Sequence, residues 1–147
     1  MLPVKKICCP TDFSEPSYEA LKVASEMALH FSAGLILLHV VTPIPVIPIH
    51  DDPTSFNLPL YEKEMEVSSA KALEQIRKEK ISPEVNSHAM VLQGDPATQI
   101  LQTIIDENVD LVIMGGHQHG ALLEWFTGST LDQVLRNTQV PLFITGI

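Results

Sequence analysis

Five short apolar runs, separated by stretches of helical period, constrain this chain more than any other feature of its sequence. Val4–Cys9, Leu35–Val41, Leu111–Met114 and Leu142–Ile147 read as strands. Asn86–Leu92 reads as a further strand, its alternation placing it nearer an edge. Between them, Ser14 to Phe31 has helical spacing, with Ser14 or Ser17 as cap and Pro16 in the first turn. Its stripe would be Ala20, Leu21, Ala24, Met27, Ala28 and Phe31, and Gly34 would stop it. Leu60–Lys80 follows with Met65, Ser69, Ala72, Leu73 and Ile76 in register. Asp95-Pro96 opens a third helix carrying Ile100, Leu101, Ile104 and Ile105 inward. Ser129 to about Asn137 is a fourth, leading through Pro141 to the last strand.

Continuous apolar strands alternating with helices predict an α/β fold: an open, doubly wound parallel sheet covered on both faces. With 147 residues the expectation is one domain, 1–147, interrupted by a proline-rich loop over 42–59 that would suit a lid. In such sheets ligands sit beyond the carboxyl ends of the strands, at the point where the strand order reverses. The relevant loops here follow Cys9, Val41 and Met114.

One of those loops is the most informative about function. The run Asp110-Leu-Val-Ile-Met-Gly-Gly-His-Gln-His-Gly120 ends a strand in paired glycines, and Thr127-Gly-Ser-Thr130 then opens a helix. Free N–H groups and the positive end of a helix dipole make that arrangement an anion site, which points to phosphate and hence to a nucleotide. The loop holds no Lys or Arg, so compensation would fall to backbone N–H groups, His117, His119 and a divalent cation. A formal charge of −9 argues against nucleic acid or an anionic membrane as partner. No run approaches the ~20 apolar residues of a membrane span. Met-Leu-Pro-Val-Lys-Lys leads straight into a strand without a signal-peptide pattern, so the expected location is cytoplasmic.

Asp12, just past the first strand, could accept a hydrogen bond from a ligand amino or hydroxyl group, or could serve the following helix as a cap. Cys8 and Cys9 are adjacent, so they point to opposite faces and read as small buried hydrophobes rather than a redox pair. His39 lies inside a strand and reads as a hydrogen-bonded core residue. His30 and His88 stand alone, and His50-Asp51-Asp52 reads as a solvated loop rather than a metal clip. Trp125 would cover the phosphate loop or a subunit contact, with simple packing the plainer reading.

The Asp12 turn, Leu38-His39-Val40 and the Gly115-to-Thr130 segment together resemble the universal stress protein family, over nearly the whole chain from Lys5 to the closing Pro141-Leu-Phe-Ile. The resemblance implies a Rossmann-like adenine-nucleotide fold of five parallel strands in order 3-2-1-4-5 with four helices, dimeric through the last strand. The ATP-binding branch of that family carries G-x-x-G-x9-G-[ST] after the fourth strand. Gly115 matches the first glycine and Gly128-Ser129 the closing pair, at the right separation, while Gln118 stands where the second glycine belongs. Members without the motif form a branch that does not bind ATP. If the backbone at Gln118 needs a positive φ, that residue would be strained by about 1 kcal/mol.

By resemblance, Pro10, Thr11, Asp12 and the backbone around Val40 would hold the adenine. Met114 and Gly115 would line the ribose and phosphate approach. His117, Gln118, Gly128, Ser129 and Thr130 would meet the phosphates, with His119 making a pH-sensitive contact. ATP would bring Mg²⁺ or Mn²⁺ held mainly by its phosphates. The function implied is a nucleotide-responsive stress regulator. The alternative is the same dimer as an interaction module with an obstructed crevice and a regulatory protein partner.

An enzyme is the third class. Pro10-Thr-Asp-Phe-Ser14 lacks the Ser-Gly-Gly-x-Asp-Ser loop of ATP pyrophosphatases, and Gln93-Gly94 replaces the phosphoacceptor of response regulators. Flavodoxins carry their phosphate loop after the first strand. No nucleophile–base pair is recognisable, leaving at most slow ATP hydrolysis or autophosphorylation. The apolar edge Leu142–Ile147 predicts antiparallel pairing with a second copy about a twofold axis.

Overall fold

A computed structural model describes residues 2–43, 58–116 and 129–146. The elements run β1 (Lys6–Pro10), α1 (Glu15–Phe31), β2 (Gly34–Val41), α2 (Leu58–Lys80), β3 (Ser87–Gln93), α3 (Pro96–Asp106), β4 (Leu111–Gly115), α4 (Ser129–Asn137) and β5 (Leu142–Thr145). The five strands form one sheet in the order β3-β2-β1-β4-β5, and every pairing is parallel. The alternating β3 is indeed an edge.

The side-chain period of two divides the strands' residues between two cores. Ile7, Cys9, Leu35, Leu37, Leu111 and Ile113 pack with Ala20, Leu21, Ala24 and Ala28 of α1 and Leu73 of α2. Cys8, Ile36, Leu38, Val40, Val112 and Met114 pack with Ala97, Ile100 and Ile104 of α3 and Val134 of α4. The two cysteines therefore do face opposite ways. Both are fully buried, and burial, with the nearby charge of Glu107, pushes the Cys8 thiol up to about 12. Burial, then the neighbouring Cys8, pushes Cys9 up as well. As thiols they act as packing groups.

Several boundaries and faces differ from the sequence reading. Of the two caps the sequence offers for α1, Ser14 is the one used, its backbone extended and its hydroxyl oxygen accepting from Ser17 N–H at 3.4 Å, as expected. The helix ends not at Gly34 but at Ser32, which takes the left-handed conformation (φ 53) and returns its N–H to Ala28 and Leu29; Gly34 is already in β2. Phe31 is exposed, with its ring edge against His30 at 5.3 Å rather than in the core. On α3, Ile100 and Ile104 are buried and Leu101 partly so, but Ile105 is 59% exposed. On α2, Met65 and Ala72 face outward, and the inward line is Ser69, Leu73 and Ile76. Helical period locates a stripe's axis; it does not fix the stripe's width or its ends.

At the amino ends of the strands, Asp110 locks β1 to β4. Its Oδ2 accepts from the N–H groups of Lys5 at 2.8 Å and Lys6 at 3.0 Å, and its own N–H donates to Lys6 at 2.8 Å. That anchorage sets the height at which the other ends of the two strands emerge. β1 and β4 border the reversal of strand order, so Pro10 to Ser14 and Gly115 to Gly116 leave the sheet side by side.

Candidate functional site

Three of the segments singled out in the sequence converge at the carboxyl ends of the central strands. Pro10 closes β1 opposite Leu38 of β2, and Thr11 N–H continues the ladder to Leu38 O at 2.8 Å. Val40 is buried at the far end of β2, Met114 is fully buried in the α3/α4 core, and Gly115 ends β4. α4 begins at Ser129, and Thr130 in its first turn is buried. His117, Gln118, His119 and Gly128 lie outside the described residues, as do most of the proline-rich loop, His50-Asp51-Asp52 and Trp125.

The turn from Thr11 to Ser14 is built by side chains bonding back to their own backbone. Thr11 Oγ1 accepts from Phe13 N–H at 3.1 Å and pairs with Ser17 Oγ at 2.8 Å. Ser17 Oγ donates in turn to Ser14 O at 2.6 Å. Asp12 Oδ1 accepts from Ser14 N–H at 3.1 Å and from the Ser14 hydroxyl. Between them Phe13 sits at φ 64, a left-handed conformation costing a bulky residue about 1–2 kcal/mol. The two roles weighed for Asp12 thus divide between its oxygens. Oδ1 serves the turn at the start of α1, and Oδ2 is buried with no hydrogen-bond partner among the described residues.

An orphaned buried carboxylate oxygen is unusual, because leaving such an acceptor unpaired costs about 1–3 kcal/mol or more. Here it lies at the end of the strand that borders the switch point, where open α/β sheets take their ligands.

Gly115 earns its small size in a way the sequence did not reveal. A Cβ there would stand 2.3 Å from Pro16 O and 2.5 Å from Pro16 C, so the end of β4 touches the first turn of α1 directly. At Gly116 a Cβ would meet Ile144 at 2.9 Å and Thr145 O at 3.1 Å, while its N–H donates to Thr145 O at 2.9 Å. The paired glycines bring β4 against α1 on one side and β5 on the other.

His39 is the residue that sequence reasoning undervalued. It is a hydrogen-bonded core histidine as expected, but its bond is to the site: Nδ1 lies 2.7 Å from Thr11 O, and its ring lies tilted against that of Phe13 with centroids 4.4 Å apart. Burial lowers its pKa, opposed by the bond to Thr11 and the charge of Asp12. The available signal was its position one residue before Val40, level with the loop after β1. Ser14 and Ser17 are likewise legible in the sequence only as candidate helix caps, and nothing there marks Phe13. Among the described residues no group of three His, Cys, Asp or Glu could hold a metal, and no helix is long and apolar enough to cross a membrane.

Comparison with known proteins agrees with this fold. A sequence model of the universal stress protein family matches residues 3–146. The universal stress protein MJ0531 of Methanocaldococcus jannaschii is 29% identical over 140 residues, which cover 95% of this chain and 81% of that protein. The solved structure of MJ0577, from the same organism, superposes with a TM-score of 0.70 at 28% identity, covering 98% of this chain and 96% of the other. A universal stress protein solved in complex with cAMP shares the fold at a TM-score of 0.65 and 19% identity, covering 97% of each chain.

Proposed function

This chain belongs to the universal stress protein family, and from that premise we propose that it binds an adenine nucleotide, ATP, at the carboxyl ends of its parallel strands and acts as a nucleotide-responsive dimeric regulator in the cytoplasm. The observation that carries the proposal is the buried Oδ2 of Asp12 at the switch point, unpartnered among the described residues. A ligand donor there would relieve the cost of the orphaned acceptor.

The same geometry favours adenine. Only one carboxylate oxygen is available, since Oδ1 is engaged by Ser14. A single acceptor suits the one exocyclic amino group of adenine, whereas the adjacent N1–H and amino donors of guanine call for two. The cAMP held by the solved relative is of the adenine class too. In this reading Pro10, Thr11 and the backbone beside Val40 border the base, and the main chain at Met114 and Gly115 borders the ribose. Gly128, Ser129 and Thr130 receive the phosphates at the start of α4, with His117, Gln118 and His119 in the loop before it. Mg²⁺ or Mn²⁺ is carried by the phosphates. Binding rather than turnover is the proposed activity.

The exposed Phe143 and Ile144 on edge strand β5 support self-association through that strand. Gln118 favours a second reading, the same dimer as an interaction module without nucleotide. Titration of ATP with Mg²⁺ into wild type and Asp12→Asn separates the two. The proposal expects the variant to bind at least tenfold more weakly, because a hydrogen bond to a charged group is worth about 1.5–3 kcal/mol. Equal affinities would remove Asp12 from the base site. If Gln118 obstructs the crevice, Gln118→Gly raises affinity.

A further inference from the structure

The carboxylate of Asp12 is aimed by a turn whose outer support comes from another strand. The hydrogen bonds of Thr11 Oγ1 and Asp12 Oδ1 hold the turn from within, yet Phe13 still occupies a left-handed conformation unfavourable to its ring. β2 supplies the rest. His39 contacts both neighbours of Asp12 in sequence: its Nδ1 lies 2.7 Å from the Thr11 carbonyl, and its imidazole lies against the Phe13 ring at 4.4 Å and 45°. A carbonyl oxygen only accepts, so Nδ1 carries the proton. That bond fixes the tautomer and orients the ring.

We propose that His39 is a positioning residue for nucleobase recognition: by donating Nδ1–H to Thr11 and backing the Phe13 ring, it clamps both flanks of Asp12 and keeps Oδ2 turned to the ligand. The proposal deepens the reading of Asp12 given above and rests on it. His39 itself need not touch the nucleotide. Its effect is specific to the group that Asp12 reads, which separates it from a general packing role.

The test uses two variants and two nucleotides. His39→Leu keeps an apolar body and loses the donor; His39→Asn can place a carboxamide nitrogen where Nδ1 stands. Affinities are measured for ATP and for purine riboside triphosphate, which lacks the 6-amino group. Wild type prefers ATP. His39→Leu loses that preference by about tenfold through weaker ATP binding alone, and His39→Asn restores most of it. An equal loss for both nucleotides, or an undiminished preference in His39→Leu, overturns the proposal.

A readout without ligand keeps this distinguishable from failure of the binding reading. In wild type, NMR of the imidazole nitrogens finds the proton on Nδ1, and the Phe13 amide coupling reports positive φ. In His39→Leu, Phe13 leaves that region. If wild type binds neither nucleotide, the assignment of the crevice fails, and these signals alone decide the positioning role. A proton on Nε2 in wild type, or an unmoved Phe13 in His39→Leu, overturns it, and the wild-type signal decides if that variant does not fold.

Discussion

Gly115→Ala tests how the candidate site is assembled, because one methyl group must enter the contact between β4 and α1. The added Cβ would stand 2.3 Å from Pro16 O and 2.5 Å from Pro16 C, where ordinary contact begins at 3.4 Å. The obstacle is backbone, so no rotamer change relieves it. Either the first turn of α1 retreats by about 1 Å or the end of β4 is displaced, and overpacking of this kind costs about 1–3 kcal/mol. A backbone obstacle puts the expectation at the upper end, about 3 kcal/mol, or roughly 10 °C in Tm for a chain of this length.

Urea denaturation followed by circular dichroism measures the difference. Two other glycines serve as controls. Among the described residues a Cβ at Gly146 has nothing within 4 Å, and one at Gly34 meets only Asn86 O at 3.6 Å and Lys5 O at 3.8 Å. Both alanine variants should stay within about 0.5 kcal/mol of wild type. Because Ser14 and Asp12 enter the helix that has to move, Gly115→Ala should also weaken ATP binding. A Gly115→Ala protein as stable as the Gly146 control would refute the claim that this glycine is required for close approach.

Other expectations follow from the same contacts. Asp12→Asn should leave the unliganded protein as stable as wild type or more so, while weakening ATP binding, since Oδ2 gains nothing in the empty site; thermal melts with and without ATP decide this. Asp95→Ala removes the cap that accepts from Thr98 N–H at 3.0 Å and Thr98 Oγ1 at 2.8 Å, and should cost about 1 kcal/mol in urea titration. His39 has a folded pKa below its unfolded value, so the unfolded chain binds the extra proton first. Stability should therefore be insensitive to this group above about pH 6.5 and decline as pH falls from there toward the depressed folded value. His39→Asn should abolish that part of the slope. Ile144→Asp should turn a species of twice the 16.2 kDa chain mass into monomer by light scattering, and a monomeric wild type would refute pairing through β5.

Most of the architecture was legible because it depends on one-dimensional patterns. Continuous apolar runs marked buried parallel strands, alternation marked β3 as an edge, and Asp95-Pro96 marked the start of α3. What escaped depended on three-dimensional fit. Gly34 looked like a helix stop because glycine tolerates positive φ, yet Ser32 takes that conformation two residues earlier, satisfied by two carbonyls. Ile105 follows Ile104 by a hundred-degree turn and falls off the buried face.

The site was partly legible. Asp12 could be named, but its two roles could not be assigned until its oxygens were seen to differ. The sequence marked Gly115 for a ligand approach, whereas the contact that excludes a side chain comes from Pro16, 99 positions away along the chain. His39 looked like core because its neighbours are apolar, and no sequence pattern reveals that its ring meets the loop after β1.

The most direct test of the central claim is calorimetric titration of nucleotide-free protein with ATP and Mg²⁺, with GTP as the control. Micromolar ATP binding with much weaker GTP binding is the result this account predicts. No binding at millimolar ATP would contradict it, leaving the orphaned oxygen of Asp12 without the ligand proposed for it.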